Sequence, residues 1–147
     1  MPISALTDHT GYWLRMVSNA VSQDFACKLI AEGVTVAEWS FMRVLCDEDG
    51  TAPTLLAVRM RMTCGAISKL ADRLVAKGLV ARTEAGGCGQ ILSLTAEGRP
   101  KIPVLAAMAD ANDAEYFGVL SQTDREALSR ILQTLAARRG VIKTPAD

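Results

Sequence analysis

Apolar residues recur at spacings of three and four along most of the 147-residue chain, which is the pattern of amphipathic helices. Two short apolar runs, residues 79–83 and 91–95, look instead like strands, and the glycine-rich segment 84–90 between them suits a hairpin loop. The helices are expected at residues 7–31, 35–46, 54–60, 63–77, 96–120 and 121–140. The pattern therefore predicts a mainly α-helical fold with one small β-hairpin.

Several of the predicted helix ends carry residues that cap helices. Thr35 and Glu38 have the spacing of a capping box, in which each side chain accepts a hydrogen bond from the other residue's backbone amide. Pro53 suits the first turn of a helix, and Thr63 is a favoured N-cap residue. Gly78 is expected to end the fourth helix in the left-handed conformation that glycine tolerates.

The fourth predicted helix is amphipathic, and its polar face is basic. The face expected to be buried consists of Ile67, Leu70, Ala71, Leu74 and Val75. The opposite face carries Cys64, Gly65, Ser68, Lys69, Asp72, Arg73 and Lys77. A short helix, a tight turn, this second helix and a hairpin together predict a winged helix-turn-helix. In that fold the second helix fits the major groove of DNA, which is about 12 Å wide.

Charge is concentrated in the same region, although the whole chain has 16 basic and 16 acidic residues and no formal net charge. Six basic residues stand against a single acid, Asp72, between positions 59 and 82. The six are Arg59, Arg61, Lys69, Arg73, Lys77 and Arg82. A neutral protein with one basic segment is expected to contact a polyanion there, whereas the simpler interpretation is a solvated helix face.

Composition excludes several other classes of protein. A single histidine, His9, leaves no base for a nucleophilic Cys or Ser and no zinc-ligand cluster, so we expect neither an enzyme nor a metal or other cofactor. No apolar run approaches the roughly 20 residues of a membrane span, and the N-terminus lacks a signal-peptide pattern. The four cysteines are far apart, as expected for reduced thiols. We therefore expect a cytoplasmic protein without a membrane partner.

Three linked motifs resemble the MarR family of bacterial transcriptional regulators. They are the Asp-Arg-Leu at 72–74, the Lys-Gly-Leu-Val-Ala-Arg at 77–82 and the Leu-Thr-Ala-Glu-Gly at 94–98. The resemblance implies a single chain, 1–147, with a winged helix-turn-helix core at 35–95 and dimerisation helices at 7–32 and 96–140. It also implies a homodimeric repressor that binds a pseudo-palindromic operator in double-stranded DNA and is released by a small aromatic or anionic effector.

The DNA-binding residues are expected in the fourth helix and the hairpin. They are Thr63, Cys64, Gly65, Ser68, Lys69, Arg73, Lys77, Arg82 and Gln90. The N-terminal members of the helix are expected at base edges, whereas Arg73 and Lys77 are expected at phosphates. An effector pocket is expected at Tyr12, Trp13, Trp39 and Met42, for which simple core packing is the alternative.

The hairpin departs from the family pattern. Gly86 and Cys88 stand where relatives usually have the Asp and Arg of an Asp-x-Arg motif, whose Arg enters the minor groove by resemblance. Gln90 is then the polar candidate left near the hairpin tip. One alternative function is therefore an interaction module of the same fold that has lost operator binding. Ala52 likewise replaces a Ser or Thr that often caps the third helix, and Thr51 is expected to compensate.

The cysteines suggest a second alternative, a regulator switched by thiol oxidation. Cys64 in the first turn of the fourth helix and Cys88 in the hairpin loop are the two candidates for the reactive thiol. Cys27 and Cys46 lie among apolar residues of predicted helices and are expected to be buried.

Overall fold

The chain folds as a set of helices with one antiparallel hairpin, as predicted. The computed structural model describes residues 1–48, 50–85 and 89–138. Its α-helices are α1 (Thr10–Leu29), α2 (Val36–Asp47), α3 (Pro53–Met60), α4 (Cys64–Ala76), α5 (Lys101–Phe117) and α6 (Gln122–Arg138). Its strands are β1 (Val80–Ala85) and β2 (Gly89–Leu94), and short 3-10 turns at Leu6–Asp8 and Ile30–Glu32 flank α1.

The predicted caps are confirmed. The Thr35 hydroxyl accepts from the Glu38 amide at 3.1 Å, and the Glu38 carboxylate accepts from the Thr35 amide at 3.3 Å. Thr63 caps α4 through its hydroxyl. Gly33 and Gly78 follow α1 and α4 with φ of 67° and 74°, the left-handed conformation that favours glycine. These local signals therefore set both ends of α4, the start of α2 and the end of the turn after α1.

The expectation that Thr51 caps α3 was wrong. Ala52 is the N-cap residue, and no side chain caps the helix in its place, so Thr51 does not compensate. Thr51 instead pairs with Leu92 of β2, donating to its carbonyl at 2.9 Å and accepting from its amide at 3.0 Å. The Thr51 hydroxyl is buried, and it has no hydrogen-bond partner among the described residues. Thr51 therefore extends the edge of the hairpin rather than capping α3.

The hydrophobic core lies against one face of α4, on which α2, α3 and the hairpin pack. Ile67, Leu70, Ala71 and Leu74 of α4 are buried as predicted, but Val75 is 37% exposed and the prediction for it was wrong. Val75 directly follows Leu74, so it lies about 100° further around the helix, at the edge of the buried face. The core also includes Leu29 of α1 and Ile102 and Leu105 of α5.

In the hairpin, Val80 lies opposite Leu94 and Glu84 opposite Gln90. After β2, α5 begins at Lys101 rather than near residue 96, because residues 96–100 form turns that end at Pro100. Pro100 and Pro103 have no backbone N–H, so neither can donate the helical hydrogen bond to the residue four positions earlier, which accounts for the later start.

The chain divides into two compact units, Met1–Asn112 and a second unit that starts at Asp113 within α5. In the second unit Ser121 caps α6, since its hydroxyl accepts from the Asp124 amide at 3.1 Å. None of the described residues of α6 is buried. The predicted end of α6 at Gly140 lies outside the described residues. No helix in the described ranges is long and apolar enough to cross a membrane.

Candidate nucleic-acid interface

The outer face of α4 is the exposed basic surface that the sequence predicts. Thr63 lies at its start, and its hydroxyl accepts from the Ala66 amide at 3.1 Å. The exposed residues of this face are Cys64, Gly65, Ser68, Lys69, Asp72 and Arg73. Within the described ranges, the side chains of Lys69 and Arg73 form neither a salt bridge nor a hydrogen bond. Both cations are therefore available to an external anion.

Gly65 has no steric reason within the chain to be glycine. A Cβ added there would meet no atom nearer than the Thr63 hydroxyl, at 4.0 Å. It lies in the first turn of α4, and its small size leaves the helix backbone accessible from outside. A surface that must approach this turn closely would benefit from that space.

Lys77, predicted to contact phosphate, forms a salt bridge with Glu38. Its Nζ donates to the Gly33 carbonyl at 2.7 Å and to both carboxylate oxygens of Glu38 at 3.0 and 2.8 Å. The Glu38 side chain is only 1% exposed, whereas that of Lys77 is 38% exposed. Burial alone would raise the pKa of Glu38, but the hydrogen bonds from Lys77 and Thr35 outweigh it and lower that pKa.

Arg82 of β1 is also paired within the chain. Its guanidinium forms a salt bridge with the Asp72 carboxylate, with a nitrogen and an oxygen 2.6 Å apart, which connects the hairpin to the exposed face of α4. Arg59 pairs with Glu48, so it too has an internal partner. The sequence shows the charges but not these pairs, because Asp72 and Arg82 belong to different elements and their spacing does not predict a contact.

Of the predicted wing residues, Gln90 is exposed at the start of β2, opposite Glu84. Gly86 and Cys88, where the hairpin departs from the family pattern, lie outside the described residues. The weaker minor-groove contact expected from these two residues therefore stays a prediction.

The residues of the predicted effector pocket have different environments. Tyr12 and Trp13 contact each other edge to face, with ring centroids 5.3 Å apart, and the Trp13 indole donates to the Thr7 carbonyl at 2.9 Å. Trp39 is half-buried against the core, and Met42 is fully buried within it. A pocket shared by these residues stays a prediction.

The prediction that Cys27 and Cys46 are buried was wrong, because both are exposed. In α1, Phe25 packs against the core and Leu29 is buried in it, so the side chain of Cys27, two residues from each, points away. Cys46 follows the buried Leu45 and is turned about 100° from it. Cys64 is exposed as expected, and Cys88 lies outside the described residues. Apolar neighbours in sequence therefore did not predict the burial of these thiols.

Comparisons with known proteins agree with the motifs in the winged core. The model of the MarR family matches residues 32–90. The HTH-type transcriptional repressor Rv2887 of Mycobacterium tuberculosis is 27% identical over 129 residues, which are 86% of this chain and 93% of the relative.

Solved structures extend the similarity to most of the chain. A MarR-family transcriptional regulator from Rhodococcus sp. RHA1 is 27% identical with a TM-score of 0.82, covering 91% of this chain and 96% of its own. CouR from Rhodococcus jostii RHA1, solved with p-coumaroyl-CoA, is 26% identical with a TM-score of 0.80, over 99% and 100% of the two chains. Rv2887 solved with DNA is 26% identical with a TM-score of 0.74, over 86% and 97%. The chain is therefore similar to transcriptional regulators of the MarR family over most of its length, and its residues 32–90 match the family model.

Proposed function

We propose that this protein is a homodimeric repressor that binds a pseudo-palindromic site in double-stranded DNA and is released by a small ligand. The observation that carries the proposal is the outer face of α4, where Lys69 and Arg73 are exposed and have no partner among the described residues. The relative Rv2887, which was solved with DNA, supports the same use of the fold.

The first turns of α4 are suited to read base edges in the major groove. Cys64, Gly65 and Ser68 are small and exposed, so the helix can approach the bases closely. Thr63 lies at the entry to that turn, where amide groups of a helix N-terminus favour a phosphate. Lys69 and Arg73 supply the charge that neutralises phosphates and sets the register on the duplex.

The hairpin is the second contact with DNA in this proposal. Arg82 and Gln90 are its polar candidates, and the salt bridge of Arg82 to Asp72 keeps β1 close to the outer face of α4. Without an arginine at position 88, we expect this contact to contribute less to affinity than α4 does.

Dimerisation is proposed through the helices outside the winged core, at 7–32 and 96–140. None of the described residues of α6 is buried, although the helix carries large apolar side chains. Ile131, Leu132 and Leu135 are 48%, 38% and 52% exposed. In α1, Trp13, Leu14 and Met16 are each about half exposed. Exposed apolar surface of this extent marks an interface. A two-fold dimer would also place two copies of α4 about one DNA turn apart.

A small effector is supported by the relative CouR, which was solved with p-coumaroyl-CoA. That ligand combines an aromatic acyl group with an anionic carrier. The aromatic side chains of Tyr12, Trp13 and Trp39 could stack on an aromatic effector. We therefore propose an aromatic or anionic ligand near these residues, with Met42 behind them in the core.

The test of DNA binding is selection of duplexes from a random library by the full-length protein, followed by affinity measurements on the enriched site at several salt concentrations. If Lys69 and Arg73 of both subunits each neutralise a phosphate, log affinity should fall against log salt with a slope of about −3.6. Arg73→Gln should reduce the slope by about 1.8. Arg43→Gln is the matched control, because this exposed arginine of α2 pairs with Asp47 outside the proposed interface, and it should leave the slope unchanged. Failure to enrich any duplex would favour the interaction-module alternative.

Redox switching is the second candidate function, favoured by the exposure of Cys64 in the first turn of α4. An oxidised or alkylated thiol there would project bulk into the proposed DNA interface. Hydrogen peroxide should then release the enriched duplex from the wild type but not from Cys64→Ser. Equal release from both proteins, or from neither, would exclude Cys64 as the sensor.

A further inference from the structure

The ammonium group of Lys77 already has as many partners as it can use. An ammonium has three protons to donate, and the Nζ of Lys77 has three acceptors within hydrogen-bond distance. These are the carbonyl of Gly33 at 2.7 Å and the two oxygens of Glu38 at 2.8 and 3.0 Å. A phosphate would therefore have to displace an existing partner.

The partners of Lys77 lie at the junction of α1 and α2, far from α4 in sequence. Gly33 ends the turn after α1 in the left-handed conformation, and Glu38 lies in the first turn of α2, where it also caps the helix with Thr35. Lys77 directly follows the last residue of α4. Its side chain therefore connects the C-terminal end of α4 to the segment that joins α1 and α2.

The same junction holds a second lysine. Lys101, the first residue of α5, donates to the carbonyl of Glu32 at 3.3 Å and to its carboxylate at 3.2 Å. The carbonyls of two consecutive residues, Glu32 and Gly33, thus accept from the first residue of α5 and from the residue that follows α4. The position of α4 is in this way linked to the helix that follows the winged core.

If Lys77 moved to a DNA phosphate, Glu38 would lose its counter-ion. Its carboxylate is 1% exposed, so it would be left buried without its counter-ion. An unpaired buried charge is strongly unfavourable, whereas an exposed contact with phosphate contributes little beyond the release of counterions. Lys69 carries no such cost, because its side chain is exposed and has no partner among the described residues.

We propose that Lys77 is a positioning residue for DNA binding, and that it orients α4 through Glu38 and Gly33 rather than by neutralising a phosphate. The proposal rests on the proposed DNA-binding function and refines it. In that case, substituting either Lys77 or Glu38 weakens DNA binding. If Lys77 instead contacts a phosphate, substituting Lys77 weakens binding and substituting Glu38 strengthens it.

The experiment compares full-length Lys77→Met, Glu38→Gln and their double variant on the enriched duplex and on a random-sequence duplex of equal length. As a positioning pair, both single variants should weaken binding to the enriched site about tenfold. Binding to the random duplex should change less, and the salt slope should stay that of the wild type. The double variant should lose no more than Lys77→Met alone. Lys77→Arg should restore affinity, since an arginine also pairs with a carboxylate.

Lys69→Met is the matched control, because it makes the same chemical change on the exposed face of α4. It should lower the salt slope by about 1.8 per dimer. Circular dichroism and thermal unfolding establish that each variant is folded at the assay temperature. If Lys77→Met does not fold, Glu38→Gln decides the question, because a phosphate-binding Lys77 released from Glu38 would bind DNA more tightly.

Two results would overturn the positioning role while leaving DNA binding intact: a lower salt slope in Lys77→Met, or tighter binding by Glu38→Gln. A wild type that binds no duplex, or a Lys69→Met variant with an unchanged slope and affinity, would count against the proposed function itself. The two failures are therefore distinguishable.

Discussion

The carbonyl oxygen of Leu79 occupies the space that a side chain on Gly98 would need. A Cβ added to Gly98 would lie 2.2 Å from this oxygen, and Gly98 is buried. Thr95 holds the same contact together, since its hydroxyl accepts from the Gly98 amide at 3.0 Å and donates to the Gly78 carbonyl at 2.6 Å. The Leu-Thr-x-x-Gly motif therefore fixes the chain after the hairpin against the turn that ends α4.

Gly98→Ala should destabilise the protein by about 2 kcal/mol or more, because the Leu79 backbone cannot move aside without disturbing the end of α4. Denaturant unfolding followed by circular dichroism measures the change. Gly11→Ala is the matched control, since a Cβ there meets no atom within 4 Å and alanine favours the helix. Equal stability of the two variants would show that residues 95–98 can shift at little cost.

Glu38 should make the stability depend on pH in the acidic range. Its pKa is lowered from 4.5 in the folded state, because the hydrogen bonds from Lys77 and Thr35 outweigh the effect of burial. The unfolded chain therefore takes up the proton at a higher pH than the folded chain does. The stabilisation is present above pH 4.5 and is lost as the pH falls through the folded pKa.

The free energy of unfolding of the wild type should therefore fall more steeply than that of Glu38→Gln below about pH 4.5. Glu97→Gln removes an exposed carboxylate and is the matched control. If the free energy of unfolding falls equally with pH in the wild type and in Glu38→Gln, the charge of Glu38 does not stabilise the folded protein.

Thr51→Val should stabilise the protein by about 1 kcal/mol, since valine has the same shape and removes a buried hydroxyl that lacks a partner among the described residues. The backbone pairing with Leu92 does not involve the side chain and should persist. Thr51→Ser keeps the hydroxyl but loses the methyl group, so it should be less stable than the wild type. A loss of stability in Thr51→Val would reveal a partner for the hydroxyl.

The fold was predictable where the signals were local. Thr35, Thr63 and Gly78 each act within a few residues of a helix end, and the spacing of apolar residues in α4 identified its buried face, Val75 apart. The exposure of Lys69 and Arg73 followed from that same periodicity. These features require only the geometry of one helix, which the sequence specifies directly.

The internal salt bridges were not predictable, because they depend on how distant segments pack. Lys77 is 39 residues from Glu38 and 44 from Gly33, and neither spacing indicates a contact. The residue type alone suggested a phosphate ligand. Cys46 shows the same limit, since an apolar stretch of sequence does not say which of its residues points away from the core.

Gly65→Ala should separate stability from DNA binding. The added methyl group meets no close atom within the protein, so the free energy of unfolding should stay equal or rise by about 0.5 kcal/mol. Affinity for the enriched duplex should fall by roughly tenfold, because the methyl group would stand between the first turn of α4 and the bases. Unchanged affinity would mean that this turn does not approach DNA closely.

The dimer proposed here should fail when charge is placed on the apolar stripe of α6. Leu132 and Leu135 are 38% and 52% exposed in the chain by itself, so glutamate at both positions has little effect on the packing of one protomer. In a dimer the same substitutions would bury like charges at a two-fold interface, where each appears twice.

Leu132→Glu combined with Leu135→Glu should therefore give a monomer in sedimentation analysis, lower the thermal stability and abolish specific DNA binding. Gln133→Glu combined with Thr134→Glu is the matched control, because it adds the same charge at two exposed positions of α6 outside the apolar stripe, with Arg130 and Arg138 one turn away. That control should remain dimeric and bind DNA. A wild type that sediments as a stable monomer at micromolar concentration would contradict the dimer. Its exposed leucines would then need another partner, because leaving them in water costs about 25 cal/mol for each Å².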